Sequence, residues 1–359
     1  MKILVLKGDG IGPEIVDCTI KVLDKISDKF KFNLDIIYSD IGFSALEKNK
    51  TTFPNIILKL CEEVDGIILG PVDHNNYPPE REGGLNPSGL LRTKLNLFSN
   101  IRPAKSFRGT KCILDKIDLV IVRENTEGFY ADRNMFSGNG ELEIEEGTGI
   151  SIRKITRKAS EKIAIRGFEI AKQMNKNKKI NVHAIHKANV LRLTDGIFLK
   201  ACRKISKNYP EIDYHEMLVD AATAHMVRNP QQFDVLITTN MFGDILSDLA
   251  SELSGSLGLS GSLNVGDTIP MAQAQHGAAT DIMNKGIANP ISLIFSAAML
   301  LGWLGKQKGK EIYIKANQLI FKIVENILEE NNFLTPDLGG ASSTQKLTDH
   351  IIDRIENHE

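Results

Sequence analysis

The 359-residue chain is predicted to be an α/β protein, and three observations predict it. Short apolar, β-branched runs recur along its length, each bounded by glycine, proline or polar clusters. Segments with helical spacing alternate with them, as expected of a sheet with helices on its faces. Charged side chains (Arg123, Lys187, Asp220 and Asp244) stand just past the ends of four such runs. In open α/β sheets that carboxyl edge is where ligands bind.

Composition narrows the partners. Hydrophobic residues make up 42% and charged residues 25%, ordinary for a globular protein, and the formal net charge is −1. Nothing advertises a polyanion, so nucleic acid is not an expected partner. The length allows two domains or one large α/β unit. Cys18, Cys61, Cys112 and Cys202 form no C-x-x-C pair and read as reduced core thiols of a cytoplasmic protein. The first ten residues read as a strand and turn, not a signal peptide. The longest uncharged apolar stretch, Ile291 to Gly305, is too short to span a bilayer and reads as a core helix, so no membrane partner is expected.

In chain order, Lys2 to Leu6 is a strand that Gly8-Asp-Gly-Ile-Gly-Pro-Glu-Ile15 turns into a helix, with Pro13 in its first turn. The glycines stand at i, i+2 and i+4. The dinucleotide fingerprint G-x-G-x-x-G needs another spacing, so no Rossmann domain is assigned. Val64 to Leu69 is a second buried strand. His74 to Leu85 is a polar loop, and the stretch from Asn86 to Pro103 carries Arg92 on its helical part and Arg102 just before a proline. Leu119 to Val122 is a strand closing on Arg123-Glu-Asn-Thr-Glu-Gly-Phe-Tyr130. Residues 131–151 are polar and acidic, and suggest a protruding arm. Ala159 to Lys172 is an amphipathic helix.

Ile180 to Ile185, Tyr214 to Val219 and Phe233 to Thr239 are further strands. Gly243 breaks the last run, and Asp244 to Leu253 takes up helical spacing. Asp244 and Asp248 stand four apart on one face, where like charges cost roughly 0.2–0.5 kcal/mol. A divalent cation between them reverses that sign. The bland alternative is two solvated acids favoured by a helix N-terminus. Gly255 to Gly266 and His276 to Pro290 read as loops. A long helix runs from about Lys310 to Asn331, and a last one starts near Ser343.

Taken together, Asn240-Met-Phe-Gly-Asp-Ile-Leu-Ser-Asp248, Lys187-Ala-Asn189, Arg123-Glu-Asn-Thr-Glu-Gly128 and Gly286-Ile-Ala-Asn-Pro290 resemble the β-decarboxylating dehydrogenases. That family includes isocitrate, 3-isopropylmalate, homoisocitrate and tartrate (D-malate) dehydrogenases. The resemblance implies their three-layer, two-domain fold, with 1–98 plus 255–359 as the cofactor domain. Residues 99–254 would form the dimerisation and metal domain, with its arm at about 131–151. It also implies a homodimer with shared active sites, Lys187 and Asp220 coming from the neighbour.

The chemistry that the resemblance implies is metal-assisted oxidative decarboxylation of a small hydroxy-diacid, a malate substituted at carbon three. Arg92, Arg102 and Arg123 would clamp carboxylates. Asp220, Asp244 and Asp248 would hold Mg²⁺ or Mn²⁺. Lys187 would accept the hydroxyl proton, and Tyr130 would return a proton after CO₂ leaves. Asn189 would contact substrate or nicotinamide. The adenosine would lie against His276, Gly277, Asp281 and Asn289, with Asp281 favouring NAD over NADP. Asn86 and Ser88, six and four residues before Arg92, would face the substituent, polar as in isocitrate or homoisocitrate enzymes. A 3-isopropylmalate or tartrate/D-malate enzyme remains an alternative, as does a noncatalytic regulatory subunit.

Overall fold

The computed structural model describes residues 1–130, 135, 140–174, 176 and 178–358. In chain order the strands are β1 (Lys2–Leu6), β2 (Asp35–Ser39), β3 (Gly66–Leu69), β4 (Ser99–Lys105), β5 (Asp118–Glu124), β6 (Glu141–Glu145), β7 (Thr148–Ser151), β8 (Asn181–His186), β9 (Asp213–Leu218), β10 (Val235–Thr238), β11 (Leu263–Val265) and β12 (Met271–Gln273). The helices are α1 (Gly12–Phe30), α2 (Gly42–Asn49), α3 (Ile56–Cys61), α4 (Pro87–Lys94), α5 (Arg157–Gln173), α6 (Thr194–Ser206), α7 (Val219–Arg228), α8 (Asn240–Ser254), α9 (Ile291–Lys308), α10 (Glu311–Glu330) and α11 (Thr344–Glu356).

A ten-stranded sheet runs through the molecule in the order β2-β1-β3-β12-β11-β4-β5-β10-β8-β9. Its two flanks, β2-β1-β3-β12 and β5-β10-β8-β9, are parallel blocks. Between them β12–β11, β11–β4 and β4–β5 pair antiparallel. Three reversals leave the carboxyl ends of the two blocks on opposite edges. The strands that lead to Arg123, Lys187, Asp220 and Asp244 all belong to one parallel block and so share one carboxyl edge, as the sequence suggests, while the seam between the blocks sets where the other block meets it.

Both faces of the blocks are covered, which is why their strands read as near-continuous apolar runs. Alternate residues of β1 go to opposite layers. Ile3 and Val5 pack with α1, α9 and α10, while Leu4 and Leu6 meet Phe53, Ile57 and Leu91. In the other block Val122, Val182 and Ile237 pack on α5 and α6, and Ile121, Ile185 and Leu236 on α7 and α8. Each fully buried Val, Leu or Ile contributes roughly 1.5–3 kcal/mol. The apolar stretch from Ile291 forms α9, buried nearly all round within the largest of these cores. No helix among the described residues is long and apolar enough to cross a membrane. Cys18, Cys61, Cys112 and Cys202 are free thiols, and only Cys112 is not buried.

Four strands escape the sequence reading: β2, the half-exposed edge strand beside β1, and β4, β11 and β12. β4 contains Pro103, which argues against a strand; here β11 pairs only with Ser99 to Ile101, so the missing N–H lies past that ladder. β11 and β12 are three residues each and sit among glycines and serines. β6 and β7 form an exposed antiparallel hairpin within the expected arm, Leu142 facing Ile150. Residues 131–134 and 136–139 of that arm lie outside the described residues.

One buried histidine links this packing to pH. His183 on β8 is 5% exposed, stacked on His215 of β9 and edge-on to Phe233, each ring centroid 4.8 Å away. Burial, then His215 and His225, hold its pKa down to about 4 against the pull of Asp234. The folded state therefore disfavours the charged ring. Stability is full above the unfolded value near 6.5 and is lost as pH falls toward about 4, by roughly 3 kcal/mol. His183→Phe should flatten that limb of urea midpoints measured from pH 4 to 7; an unchanged slope would contradict the assignment.

Candidate active site

Helix α8 delivers the acidic side chains. It begins at Asn240, so Gly243 lies in its first turn and does not break the chain before Asp244, correcting the sequence reading. A Cβ at Gly243 would collide with the Thr238 hydroxyl and lie 2.7 Å from the Arg123 side-chain carbons. Glycine is what lets the helix settle onto β5. From there α8 crosses back over β5 and β4, and successive turns present Asp244, Asp248 and Ser251 to the seam.

Two buried arginines meet that helix. Arg123 sits inside β5 rather than past its end; its Nη1 pairs with Asp244 Oδ1, while Nε and Nη2 donate to Asn240 Oδ1 at 3.1 and 2.6 Å. Arg102 on β4 donates from Nη1 to Ser247 Oγ at 2.7 Å, Asp244 Oδ1 at 3.2 Å and Asp248 Oδ1 at 3.5 Å. Its Nε donates to Asn100 Oδ1 at 2.5 Å. Burial, then repulsion from Arg123, pull the Arg102 pKa down to about 10, still charged at neutral pH. Burial pushes the Asp244 carboxyl up, but Arg123, Arg102 and Arg92 together outweigh it and hold it below the usual range.

These groups line a cavity of about 280 Å³. Of the residues expected from the sequence it gathers Asn86, Ser88, Arg92, Arg102, Arg123, Tyr130, Asp244, His276 and Gly277. Asn86 also caps α4, accepting the Gly89 N–H at 3.1 Å. Gln273 and Gln275 were missed. Gln273 Oε1 accepts from Arg92 Nη2 at 2.9 Å and Ser88 Oγ at 3.1 Å. Gln275 Nε2 donates to Asp248 Oδ1 at 2.9 Å. The Ala-Gln-Ala-Gln alternation, with two carboxamides at i and i+2, was the available signal.

The walls are held by local chemistry. Glu124 accepts from Thr126 N–H and hydroxyl and from Glu127 N–H at 2.6–2.8 Å, closing the turn that leads to Tyr130. Burial pushes its carboxyl up to about 7. Arg123 lies 6.0 Å from the Tyr130 ring centroid. Gly10 has φ 57°, and a Cβ there would collide with the Ala278 carbonyl, which accepts the Ile11 N–H at 2.9 Å. The glycine-rich turn therefore docks the loop that starts at His276. Ala279 in that loop also holds a left-handed φ of 40°.

The remaining expected residues lie elsewhere. Lys187 Nζ pairs with Asp220 Oδ1 at 2.6 Å, outside the cavity, and that bond holds the Asp220 carboxyl below its usual range. Asn189 and Asp281 are exposed, Asp281 in a single turn at Thr280–Ile282. Asn289 is buried, donating to Asp337 Oδ2 and accepting from the Ile291 N–H, both at 3.0 Å. Asp248 borders the cavity through Arg102 and Gln275.

The donor set fits a hard dication only in part. Asp244 and Asp248 are 37% and 54% exposed and offer carboxylate oxygens four residues apart. Among the described residues no group of three His, Cys, Asp or Glu in one chain could hold a metal. One or two carboxylates with substrate oxygens and water suffice for Mg²⁺, so the pair offers a partial shell. Gln275 Oε1 and His276 Nε2 are buried without a hydrogen-bond partner among the described residues, and His276 opens the loop that the resemblance sets against a cofactor.

Comparison with known proteins bears on this arrangement. The model of the isocitrate/isopropylmalate dehydrogenase family matches residues 2–355. The 3-isopropylmalate dehydrogenase of Archaeoglobus fulgidus is 39% identical over 355 residues, 99% of each chain. The homoisocitrate dehydrogenase of Methanocaldococcus jannaschii is 39% identical over 367 residues, 99% of this chain and 98% of the relative. A crystal structure of isocitrate dehydrogenase from Methylococcus capsulatus superposes with a TM-score of 0.87 at 37% identity, covering 99% of each chain.

Proposed function

The chain belongs to the isocitrate/isopropylmalate dehydrogenase family, and from that premise we propose that it catalyses NAD-dependent oxidative decarboxylation of a 3-substituted malate. The observation that carries this reading is one cavity in which Arg92, Arg102 and Arg123 converge beside Asp244. Three guanidiniums facing two nearby carboxylates leave an excess positive charge suited to a diacid, and their forks suit bidentate capture.

The site is completed by a second copy. Asp244 and Asp248 would hold Mg²⁺ or Mn²⁺ together with Asp220 of the partner subunit. Exposed Val190 and Leu193 near Lys187, Ile245 on α8 and Leu142 on the hairpin supply apolar surface for such a dimer. In this reading 1–98 and 255–359 form the cofactor domain and 99–254 the dimerisation domain, meeting at the β11–β4 pairing. When bound, the dication supplies Lewis acidity at the substrate hydroxyl and NAD supplies the hydride acceptor. Arg92, Arg102 and Arg123 fix the carboxylates. Lys187 of the partner subunit takes the hydroxyl proton. After CO₂ leaves, Tyr130 protonates the carbon it left.

A polar, carboxylate-bearing substituent, as in isocitrate or homoisocitrate, is favoured. Beyond Asn86 and Gly89 an adjoining cavity of about 480 Å³ is lined by Glu80, Thr93 and Lys94. Leu85 and Leu90 on the same wall favour a second reading, 3-isopropylmalate, the substrate named for the Archaeoglobus relative. Initial rates with isocitrate, homoisocitrate, 3-isopropylmalate, D-malate and tartrate, each with NAD and NADP, test the proposal; inactivity on all five would overturn it.

Exposed Asp281 would accept bonds from the adenosine ribose and repel a 2′-phosphate. Asp281→Lys is expected to raise the NADP-to-NAD ratio of kcat/KM by about tenfold, ~1.4 kcal/mol. A wild-type preference for NADP would contradict the assignment.

A further inference from the structure

We propose that Arg153 and Asp195 form a positioning pair that couples the half-site each chain keeps to the half-site it lends; this rests on the shared-site reading above. Arg153 lies between β7 and α5 with its side chain 7% exposed, and Asp195 on α6 is fully buried. Arg153 Nη1 donates to Asp195 Oδ1 at 2.5 Å and to Thr194 Oγ1 at 2.7 Å. Nη2 donates to Thr239 Oγ1 at 3.2 Å. Thr239 stands at the N-cap of α8, yet its hydroxyl makes no capping bond there. The guanidinium carbon also lies 5.8 Å from the Phe129 ring centroid and 5.5 Å from that of Phe242.

Those contacts reach both halves of the chemistry. Phe129 precedes Tyr130. Thr239 and Phe242 set the start of the helix that carries Asp244 and Asp248. On the other side, Asp195 Oδ2 accepts the Lys187 N–H at 2.5 Å, anchoring the loop whose lysine pairs with Asp220. A buried ion pair is weak evidence for stability, because desolvation offsets most of its attraction. Its directional bonds do fix geometry. This pair binds the Tyr130 turn, the α8 start and the Lys187 loop to one rigid centre, so a shift at one is felt at the other two.

Heterodimers carrying two affinity tags test the coupling. Lys187→Met paired with Tyr130→Phe should recover activity, since one site of the two is intact. Failure of that control would overturn the shared-site reading and the proposal with it. Arg153→Met should lower kcat about a hundredfold with substrate KM within about threefold, the signature of misplaced rather than missing binding groups. Its heterodimers with Lys187→Met and with Tyr130→Phe should both stay at background. Recovery with either partner would overturn the coupling. Arg153→Lys keeps the ion pair but not the planar fork between the two rings. It should recover with Lys187→Met and not with Tyr130→Phe, keeping the test open if Arg153→Met does not fold. The reverse pattern would overturn the proposal.

Discussion

Asp244→Asn is expected to lower kcat/KM by about a thousandfold or more, ~4 kcal/mol, and to raise the Mn²⁺ concentration needed for half activity. Asparagine keeps the shape and removes the charge. That charge faces both Arg102 and Arg123, so its loss also leaves two buried guanidiniums short of a counter-ion. Thermal unfolding of the variant separates the two effects. Asp248→Asn provides the cleaner companion, because Asp248 is half-exposed and only 3.5 Å from Arg102. It should weaken the metal dependence with little change in melting temperature. Near-normal Mg²⁺-dependent turnover in Asp244→Asn would remove the metal role. The sign of the Asp244 shift bears on pH profiles: its folded pKa lies below the unfolded value near 3.9, so its stabilisation is present above that value and lost only as pH falls through the lower one. An acid limb of activity between pH 5 and 7 therefore belongs to another group.

Lys187→Met is expected to cut turnover by about 10²–10⁴-fold while substrate binding, measured by calorimetry, stays within a few-fold. Lys187 does not line the cavity of its own chain; its ammonium is held by Asp220 and its backbone by Asp195. An effect of that size with binding intact is what the shared-site proposal expects of a lysine acting in the cavity of a second copy. Unchanged kcat would take Lys187 out of the reaction.

Much of the site was legible because its residues travel in short, chemically distinctive strings. Asn240 to Asp248 and Arg123 to Gly128 could be recognised before any contact was known, and the cavity does gather Arg92, Arg102, Arg123, Tyr130 and Asp244. What was not legible depends on pairing across the chain. Gly243 looks like a breaker, and only the approach of α8 to Arg123 shows why a side chain cannot stand there. Pro103 hides β4, because tolerance for proline depends on where β11 stops. The reversed sense of the two blocks cannot be inferred from strands as short as β11 and β12, although it decides that the site lies at the seam. Gln273 and Gln275 show only an alternation of small and carboxamide side chains; their role follows from the bonds to Arg92 and Asp248.

In the proposed shared site, carboxylates from two chains enclose one cation. Mixed dimers of Asp220→Asn and Asp244→Asn address it most directly. Each homodimer should be nearly inactive. Randomly assorted dimers should recover about one quarter of wild-type Mn²⁺-dependent activity, since half are heterodimers and each carries one intact site. No recovery, with heterodimers demonstrated by native mass spectrometry, would contradict it.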